Sequence, residues 1–257
     1  MKYICRILLS GLIIGILNNF VTATPSTQIW IPSTDVQAFL NPHFGWDSYI
    51  KVMGTEATVT NGGITMGVLP FKRIGLEIGI DYRDYGFMNN DNTGNTNLGG
   101  VAGHDYPVYF NAKLGVPEDA FFKYMPAAAI GAFDMGTKSS GVGLTSFNIS
   151  YGLLAKNIWK LGRFSAGYYF GNDKALLVAK DQANGVLLSW DRTMTELTNK
   201  LWLAVDYQGG KNSYGALSFG AAWTFAPNVS VIVGYDIWND SQNLKPTVTV
   251  QVDINAF

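Results

Sequence analysis

Apolar and polar positions alternate with a period of two along most of the chain. In residues 201–208, Leu, Leu, Val and Tyr alternate with Trp, Ala, Asp and Gln. Successive side chains of a β-strand point to opposite faces, so this alternation predicts strands with one apolar face. The pattern predicts twelve strands. Pro42 interrupts the first of them, and ten or fourteen strands are the alternatives. The twelve predicted strands are 36–50, 57–69, 74–85, 107–116, 126–136, 144–156, 162–171, 184–193, 199–208, 213–225, 228–238 and 245–256.

The predicted strands are long, and their second face is small rather than charged. Most run for ten residues or more, whereas strands of globular proteins usually have about five or six and a tilted membrane strand needs about 9–11. The second face carries mainly Gly, Ala, Ser and scattered Asp, which suits a lumen better than the open surface of a soluble sandwich. We therefore predict an all-β fold, a transmembrane antiparallel up-and-down β-barrel of about twelve strands.

The connections and the aromatic residues agree with this fold. Long polar connections such as 86–106 alternate with compact ones such as 70–73, as in barrels with long outer loops and short periplasmic turns. Aromatic residues near strand ends predict two belts at the membrane surfaces. The outer belt is predicted from Tyr49, Tyr82, Tyr85, Phe133, Phe170, Tyr207 and Tyr235. The periplasmic belt is predicted from Phe71, Phe121, Phe122, Tyr124, Trp159, Trp223 and Phe225.

The first 23 residues have the pattern of a cleaved secretory signal. Lys2 and Arg6 precede an apolar stretch too short to span a bilayer, and Val21 and Ala23 fit a cleavage site after Ala23. The sole cysteine lies in this segment, so the mature chain is expected to lack thiols for disulfides, metal sites or nucleophiles. We expect a signal peptide at 1–23, a periplasmic N-terminal segment at 24–35 and an outer-membrane barrel at 36–257.

Composition narrows the class further. The chain is 47% hydrophobic and 14% charged, with a net charge of −1. Such an apolar chain is not disordered, and it has too few charged residues for a coiled coil. The charge balance gives no reason to expect nucleic acid as a partner.

The chain ends in Phe257, after a stretch of alternating polarity. With the signal sequence and the strand pattern, this ending resembles the bacterial outer-membrane β-barrel proteins, porin-like members included. The resemblance implies a Gram-negative outer-membrane location, contact with outer-membrane lipid, and reading of Phe257 as an assembly signal by the barrel-assembly machinery. Asp253 and Asn255 share the parity of Phe257, so we expect a bulge or irregular end near Ala256. Nucleoside channels, acidic-oligosaccharide porins and a phospholipase have barrels of this size, and no motif selects among them.

The predicted inward face is acidic. Eight carboxylates fall on it, against Arg83, Lys113 and, near the periplasmic rim, Lys156. Three bases cannot pair eight acids, and an unpaired carboxylate is costly in a dry core, so we expect a wet lumen that prefers cations. The alternative is a packed interior in which the acids bond to bases, tyrosines and backbone. The predicted acidic residues are Asp47, Glu77, Asp81, Asp134, Asp191, Asp206, Asp236 and Asp253.

Glycines are expected on the same inward face. They leave room in a barrel of intermediate size, although they also relieve crowding where strands bend. The inward glycines are predicted to be Gly45, Gly75, Gly79, Gly115, Gly152, Gly167, Gly220 and Gly234.

Candidate catalytic or metal-binding chemistry is sparse. His104 lies in the long loop, and His43 near the first strand, where it can face the lumen. The run 91–95 resembles a calcium loop without its closing acidic residue. No catalytic, metal or cofactor site is predicted, and no enzyme. The expected function is a porin-like channel for small hydrophilic solutes or ions, with cation preference. A non-conducting structural or partner-binding barrel is the alternative, and an outer-membrane enzyme is a third.

Overall fold

The structure is a computed structural model that describes residues 27–52, 58–84, 106–141 and 144–257. Twelve strands form a closed antiparallel barrel in which sequence neighbours pair and β1 closes onto β12. The predicted signal peptide, Tyr85 of the predicted outer belt, His104 and the calcium-like run lie outside the described residues. The strands are β1 (Pro42–Lys51), β2 (Val59–Gly67), β3 (Gly75–Asp84), β4 (Val108–Val116), β5 (Ala127–Gly136), β6 (Ser146–Ile158), β7 (Gly162–Phe170), β8 (Asn184–Thr193), β9 (Leu201–Gln208), β10 (Ala216–Ala226), β11 (Val229–Trp238) and β12 (Thr247–Asn255).

The predicted all-β barrel of twelve strands is confirmed, and the first strand is shorter than predicted. It begins at Pro42 rather than at residue 36. Proline has no backbone N–H to donate, which suits it to the first position of a strand. The last strand ends at Asn255, and Ala256 donates its N–H to the Pro42 carbonyl, 2.9 Å away.

Helical structure in the described residues is short. One helix, α1 (Asp173–Leu176), and two single-turn 3₁₀ segments, Trp159–Leu161 and Lys180–Gln182, lie in connections between strands. Within the described ranges, no helix has the length and apolar character needed to cross a bilayer.

The outside of the barrel is apolar. Large aliphatic side chains such as Ile78, Ile130 and Val233 project from the strands and are about half exposed. An apolar surface that surrounds a closed barrel needs a lipid environment. The aromatic residues of the predicted periplasmic belt are all exposed, at the end of the barrel with the short turns.

Two residues of the predicted outer belt lie inside the barrel instead. Tyr49 packs edge-on against Trp30, with ring centroids 5.2 Å apart, and Phe133 packs against Tyr214 at 6.2 Å. Both sit near the end of the barrel that carries the long connections, which we call the long-loop end. Position near a strand end therefore did not decide which face these rings occupy.

A bulge in β5 turns a predicted carboxylate inward. Phe133 and Asp134 together oppose the single residue Asn111 of β4, and Asp134 has a positive φ of 52°. Ile130 points outward and is 62% exposed. In a regular strand Asp134, four residues later, would point outward too. The extra residue brings both Phe133 and Asp134 to the inner face.

Residues 27–41, which we call the inner segment, run through the inside of the barrel. On one wall, the Val36 side chain packs over Gly75 and Gly115, where an added Cβ would lie within 3 Å of it. On the other wall, Gln28 donates to Asp191 at 3.0 Å. The segment therefore crosses the bore from β3 and β4 to β8. Residues 27–35, expected in the periplasm, lie within the barrel in the structure.

Apolar side chains of the inner segment complete two clusters on the side of the barrel formed by β6–β11. Ile31 packs with Tyr169 and Leu187, and Ile29 packs with Trp202 and Ile232. This half of the lumen is filled, as in a small barrel whose side chains close the interior.

Candidate functional site

Four residues on adjacent strands form a row across the inner face. Gly45 of β1 pairs with Asp253 of β12 on one side and with Gly63 of β2 on the other. Gly63 in turn pairs with Asp81 of β3. Two glycines therefore separate two carboxylates, and we call this place the glycine gap.

Asp47 stands next to the glycine gap, two residues along β1 towards the long-loop end. Its strand neighbours are Gln251 on β12 and Asn61 on β2. At a strand rise of about 3.3 Å per residue, Asp47 lies about 7 Å from Gly45 along the strand. Three carboxylates thus surround one small area of the wall.

A cavity of about 950 Å³ lies over the glycine gap. The inner faces of β1–β5 form one side of it, and Trp30 and Pro32 of the inner segment form part of the other. Five of the predicted acidic residues line this cavity. They are Asp47, Glu77, Asp81, Asp134 and Asp253.

Some of these acids are neutralised by bases on the same wall. Arg83 Nη2 lies 2.7 Å from Asp134 Oδ1, and the Tyr214 hydroxyl donates to the other oxygen of Asp134. Lys113 Nζ lies 3.7 Å from Glu77 Oε1. Arg83 and Lys113, two of the three predicted inward bases, therefore act as partners of predicted inward acids.

Asp47 and Asp81 differ from Asp134 and Glu77, because no base of the described residues forms an ion pair with either. Asp81 accepts a hydrogen bond of 2.6 Å from Asn111. Lys51 and Lys174 line the cavity as well, but Lys51 ends β1 and Lys174 lies in α1, both towards the long-loop end. The middle of the cavity is therefore acidic.

The other three predicted acids lie on the filled side of the lumen. Asp191 accepts from Gln28 and from the indole of Trp202 at 3.1 Å. Asp206 accepts from the backbone N–H groups of the inner segment, and Asp236 accepts from the Thr247 hydroxyl at 2.7 Å. Asp191 and Asp206 thus hold the inner segment rather than line the cavity.

Arg163 is an inward base that the sequence analysis did not single out. Its Nη1 lies 2.5 Å from Asp35 of the inner segment, and its Nε lies 2.9 Å from Asp191. Arg163 lies four residues before Gly167 in the same predicted strand, so the alternation that places Gly167 on the inner face also predicts an inward Arg163. Lys156, by contrast, sits at the short-turn end, where its Nζ is 2.5 Å from Glu118.

Four aromatic side chains form a cluster at the long-loop side of Asp47. Trp30 lies at its centre and meets Trp238 edge-on at 5.0 Å and Tyr214 at 5.8 Å. Tyr49, two residues beyond Asp47 on β1, completes it. We call Trp30, Tyr49, Tyr214 and Trp238 the aromatic cluster, and all four line the cavity.

His43 lies at the short-turn end of the cavity. Its Nε2 is 3.3 Å from Asp253 Oδ1, and its Nδ1 is 3.3 Å from Asn255 Oδ1. Both ring nitrogens face protein oxygens, which leaves neither directed at a nucleophile. Across the described ranges, no group of three His, Cys, Asp or Glu side chains is placed to hold a metal ion.

One predicted inward glycine faces the other way. A Cβ on Gly152 would meet only Ile130, 3.9 Å away, and Ile130 projects from the outside of the barrel. Tyr151 and Leu153 take the inward positions of β6 instead and join the buried cluster.

Comparison with known proteins finds likeness of fold alone. No protein-family model and no curated protein sequence matches the chain. Outer membrane phospholipase A from Escherichia coli is 12% identical, with a TM-score of 0.49 over 83% of this chain and 92% of that one. An outer membrane channel from Pseudomonas putida F1 is 9% identical, with a TM-score of 0.46 over 91% of this chain and 100% of that one. At these scores neither likeness carries an argument about function.

The closed antiparallel barrel, its apolar exterior and its polar inner face define the class. This chain has the fold of the bacterial outer-membrane β-barrel proteins. Within that class, its distinguishing features are the inner segment and the acidic cavity beside it.

Proposed function

We propose that this protein is an outer-membrane channel for small hydrophilic solutes that prefers cations, and that the inner segment closes it in the conformation described. The cavity of about 950 Å³ carries the proposal, because Asp47 and Asp81 stand in its middle without an ion-pair partner among the described residues. Acidic groups that line an aqueous path favour ions of opposite charge.

The inner segment supplies the closed state. It crosses the bore near the short-turn end, where Gln37 donates its backbone N–H to Glu77 at 2.7 Å and its side chain to Asn255 at 2.7 Å. A solute that entered the cavity from the long-loop end would meet this segment before it reached the other side. Opening requires the segment to leave these partners.

Export and assembly follow the same proposal. Residues 1–23 act as a cleaved signal peptide, and Phe257 acts as the assembly signal read by the barrel-assembly machinery. The exposed Phe257 ring supports this role, and the Phe257 N–H donates to Asn41 Oδ1 of the inner segment at 3.1 Å. The expected partners are the lipid of the outer membrane, which surrounds the barrel, and the small cations that it transports. We expect neither nucleic acid nor a cofactor to bind.

Conductance across a planar bilayer tests the proposal. In a KCl gradient, we expect a low conductance whose reversal potential favours K⁺, and the double variant Asp47→Asn, Asp81→Asn should bring the potential nearer to zero. Glu196→Gln, on an exposed turn, is the control for loss of one carboxylate outside the cavity, and the single variant Asp47→Asn is compared with it. A reversal potential that favours Cl⁻ would overturn the proposal.

A reversible tether tests the role of the inner segment. An ideal Cβ at Gly115 lies 2.4 Å from Val36 Cγ2, so cysteines at positions 36 and 115 are close enough for a disulfide. We expect the oxidised Val36→Cys, Gly115→Cys protein to conduct less than its reduced form. Equal conductance in both forms would show that the segment is not a gate.

A non-conducting barrel is the second candidate, and a specific observation favours it. The clusters around Ile29 and Ile31 fill one half of the lumen with buried apolar side chains. A reduced tether variant that keeps its fold and passes no current would favour this candidate over the channel.

A further inference from the structure

We propose that the cavity binds an organic cation, with its charged group at the glycine gap and its apolar body against the aromatic cluster. This inference rests on the proposed function, because it names the class of solute that the lumen takes. A ligand of this class matches two features of the cavity that stand side by side.

The first feature is a surplus of hydrogen-bond acceptors around the glycine gap. Asp253 is only 3% exposed, and its Oδ2 has no hydrogen-bond partner. The Oδ1 of Asn61, which lies beside Asp47, also has none. Buried acceptors without donors are costly, so this wall is suited to a ligand that brings N–H donors and positive charge.

The second feature is the ring cluster next to these acceptors. Tyr49 follows Asp47 by two residues on the same strand, about 7 Å along it, and it touches Trp30. The faces of tryptophan and tyrosine rings attract ammonium and guanidinium groups and bury apolar surface. An inorganic ion would use the carboxylates but would gain little from these rings.

The space fits a ligand of modest size. Cavities that hold small organic ligands measure roughly 300–1,000 Å³, and this one measures about 950 Å³. Gly45 leaves an opening in the wall, because a Cβ built there would meet only His43 Nε2, 3.6 Å away. A larger side chain at position 45 would enter the cavity without displacing the backbone.

Calorimetry on the full-length mature protein in a neutral detergent tests the inference. The probes are 2-phenylethylammonium, its neutral analogue 2-phenylethanol, the anion 3-phenylpropionate and methylammonium, which has no ring. We expect 2-phenylethylammonium to bind at least tenfold more tightly than each of the others. Equal binding of the alcohol would overturn the role of the carboxylates, and equal binding of methylammonium would overturn the role of the aromatic cluster.

Two variants locate the site. Asp47→Asn should weaken binding of 2-phenylethylammonium at least fivefold, and Gly45→Leu should abolish it by filling the cavity. Glu196→Gln, with the same loss of charge on the surface, should leave it unchanged. Folding of each variant is checked by heat-modifiable gel mobility, and unchanged binding in folded Asp47→Asn protein would overturn the proposal.

The outcomes separate this inference from the proposed function. Cation-selective KCl conductance without binding of 2-phenylethylammonium would overturn the organic-cation site and leave the channel standing. Binding without conductance in any form of the protein would support the site and overturn the channel.

Discussion

Asp206 on β9 holds the backbone of Trp30, whose N–H lies 2.9 Å from Asp206 Oδ2, and the N–H of Ile29 reaches the same oxygen at 2.8 Å. One carboxylate oxygen therefore fixes two successive peptide groups of the inner segment. Because the acceptor is a carboxylate, these bonds are among the stronger anchors available to the segment.

Asp206→Asn is expected to loosen the inner segment. Asparagine keeps an acceptor oxygen but loses the charge, and a hydrogen bond to a charged group contributes about 1 kcal/mol more than a neutral one. For the two bonds, the fraction of open protein should therefore rise roughly fivefold to thirtyfold. Single-channel recording measures this as a higher open probability.

Asp236→Asn is the matched control for that experiment. Asp236 and Asp206 face the same residue, Ser218, from the two strands beside it, but Asp236 bonds Thr247 rather than the inner segment. An equal rise in open probability in both variants would contradict the role assigned to Asp206.

Arg163→Gln is expected to destabilise the barrel strongly. Arg163 bridges Asp35 and Asp191, and its loss leaves the buried Asp191 without its base. Breaking such a pair typically costs about 3–5 kcal/mol. Urea unfolding followed by tryptophan fluorescence should show this loss, whereas Arg192→Gln, at an exposed pair with Glu196, should change stability by less than about 1 kcal/mol.

Gly115→Ala is expected to push against the inner segment. The added Cβ would lie 2.4 Å from Val36 Cγ2 and 3.1 Å from the Thr34 carbonyl oxygen. Such overpacking typically costs about 1–3 kcal/mol. Gly152→Ala, whose Cβ has an ordinary 3.9 Å contact, is the control, and the two variants are compared by thermal unfolding.

Glu118 is expected to make stability depend on pH at the short-turn end. Partial burial opposes its ionisation, but hydrogen bonds from Lys156 and Asn157 outweigh that effect and lower the pKa of Glu118 below its usual 4.5. Because the folded-state pKa is lowered, this stabilisation is present above pH 4.5 and is lost as the pH falls through the folded-state pKa.

Glu118→Gln should therefore lower the urea midpoint at neutral pH and match the wild type at more acidic pH. Lys156→Gln should give the same profile, and the double variant should lose no more than either single variant. A deficit of Glu118→Gln that persists unchanged in acid would contradict the assignment.

Strand periodicity predicted the wall of the barrel well and its contents poorly. The inward placement of Asp47, Asp81 and Asp253 follows from a period of two, because backbone pairing imposes that period on every strand. The inner segment has no such period, since its peptide groups bond to side chains such as Asp206 rather than to a neighbouring strand. The pattern of apolar and polar residues therefore could not predict where this segment lies.

Local irregularity and ring placement account for the remaining differences. Asp134 reaches the inner face through a bulge, which shifts parity in the middle of a strand. The position of Tyr49 near a strand end predicts a place in the outer belt, yet Tyr49 lies an even number of residues from Asp47 and therefore on the inner face. The odd or even position of a residue in its strand therefore predicts its face better than its distance from the strand end does.

The inner segment also imposes an order on how the molecule is made. Ile29 accepts a hydrogen bond from Gln251, 222 positions later in the chain, and Gln28 bonds a residue 163 positions away. The inner segment precedes all twelve strands in the chain but completes its contacts only when the last strands are present, and contacts so distant in sequence form slowly. Closure of β1 onto β12 and seating of the segment therefore both depend on the last strand, because β12 pairs with β1 and its Gln251 holds Ile29.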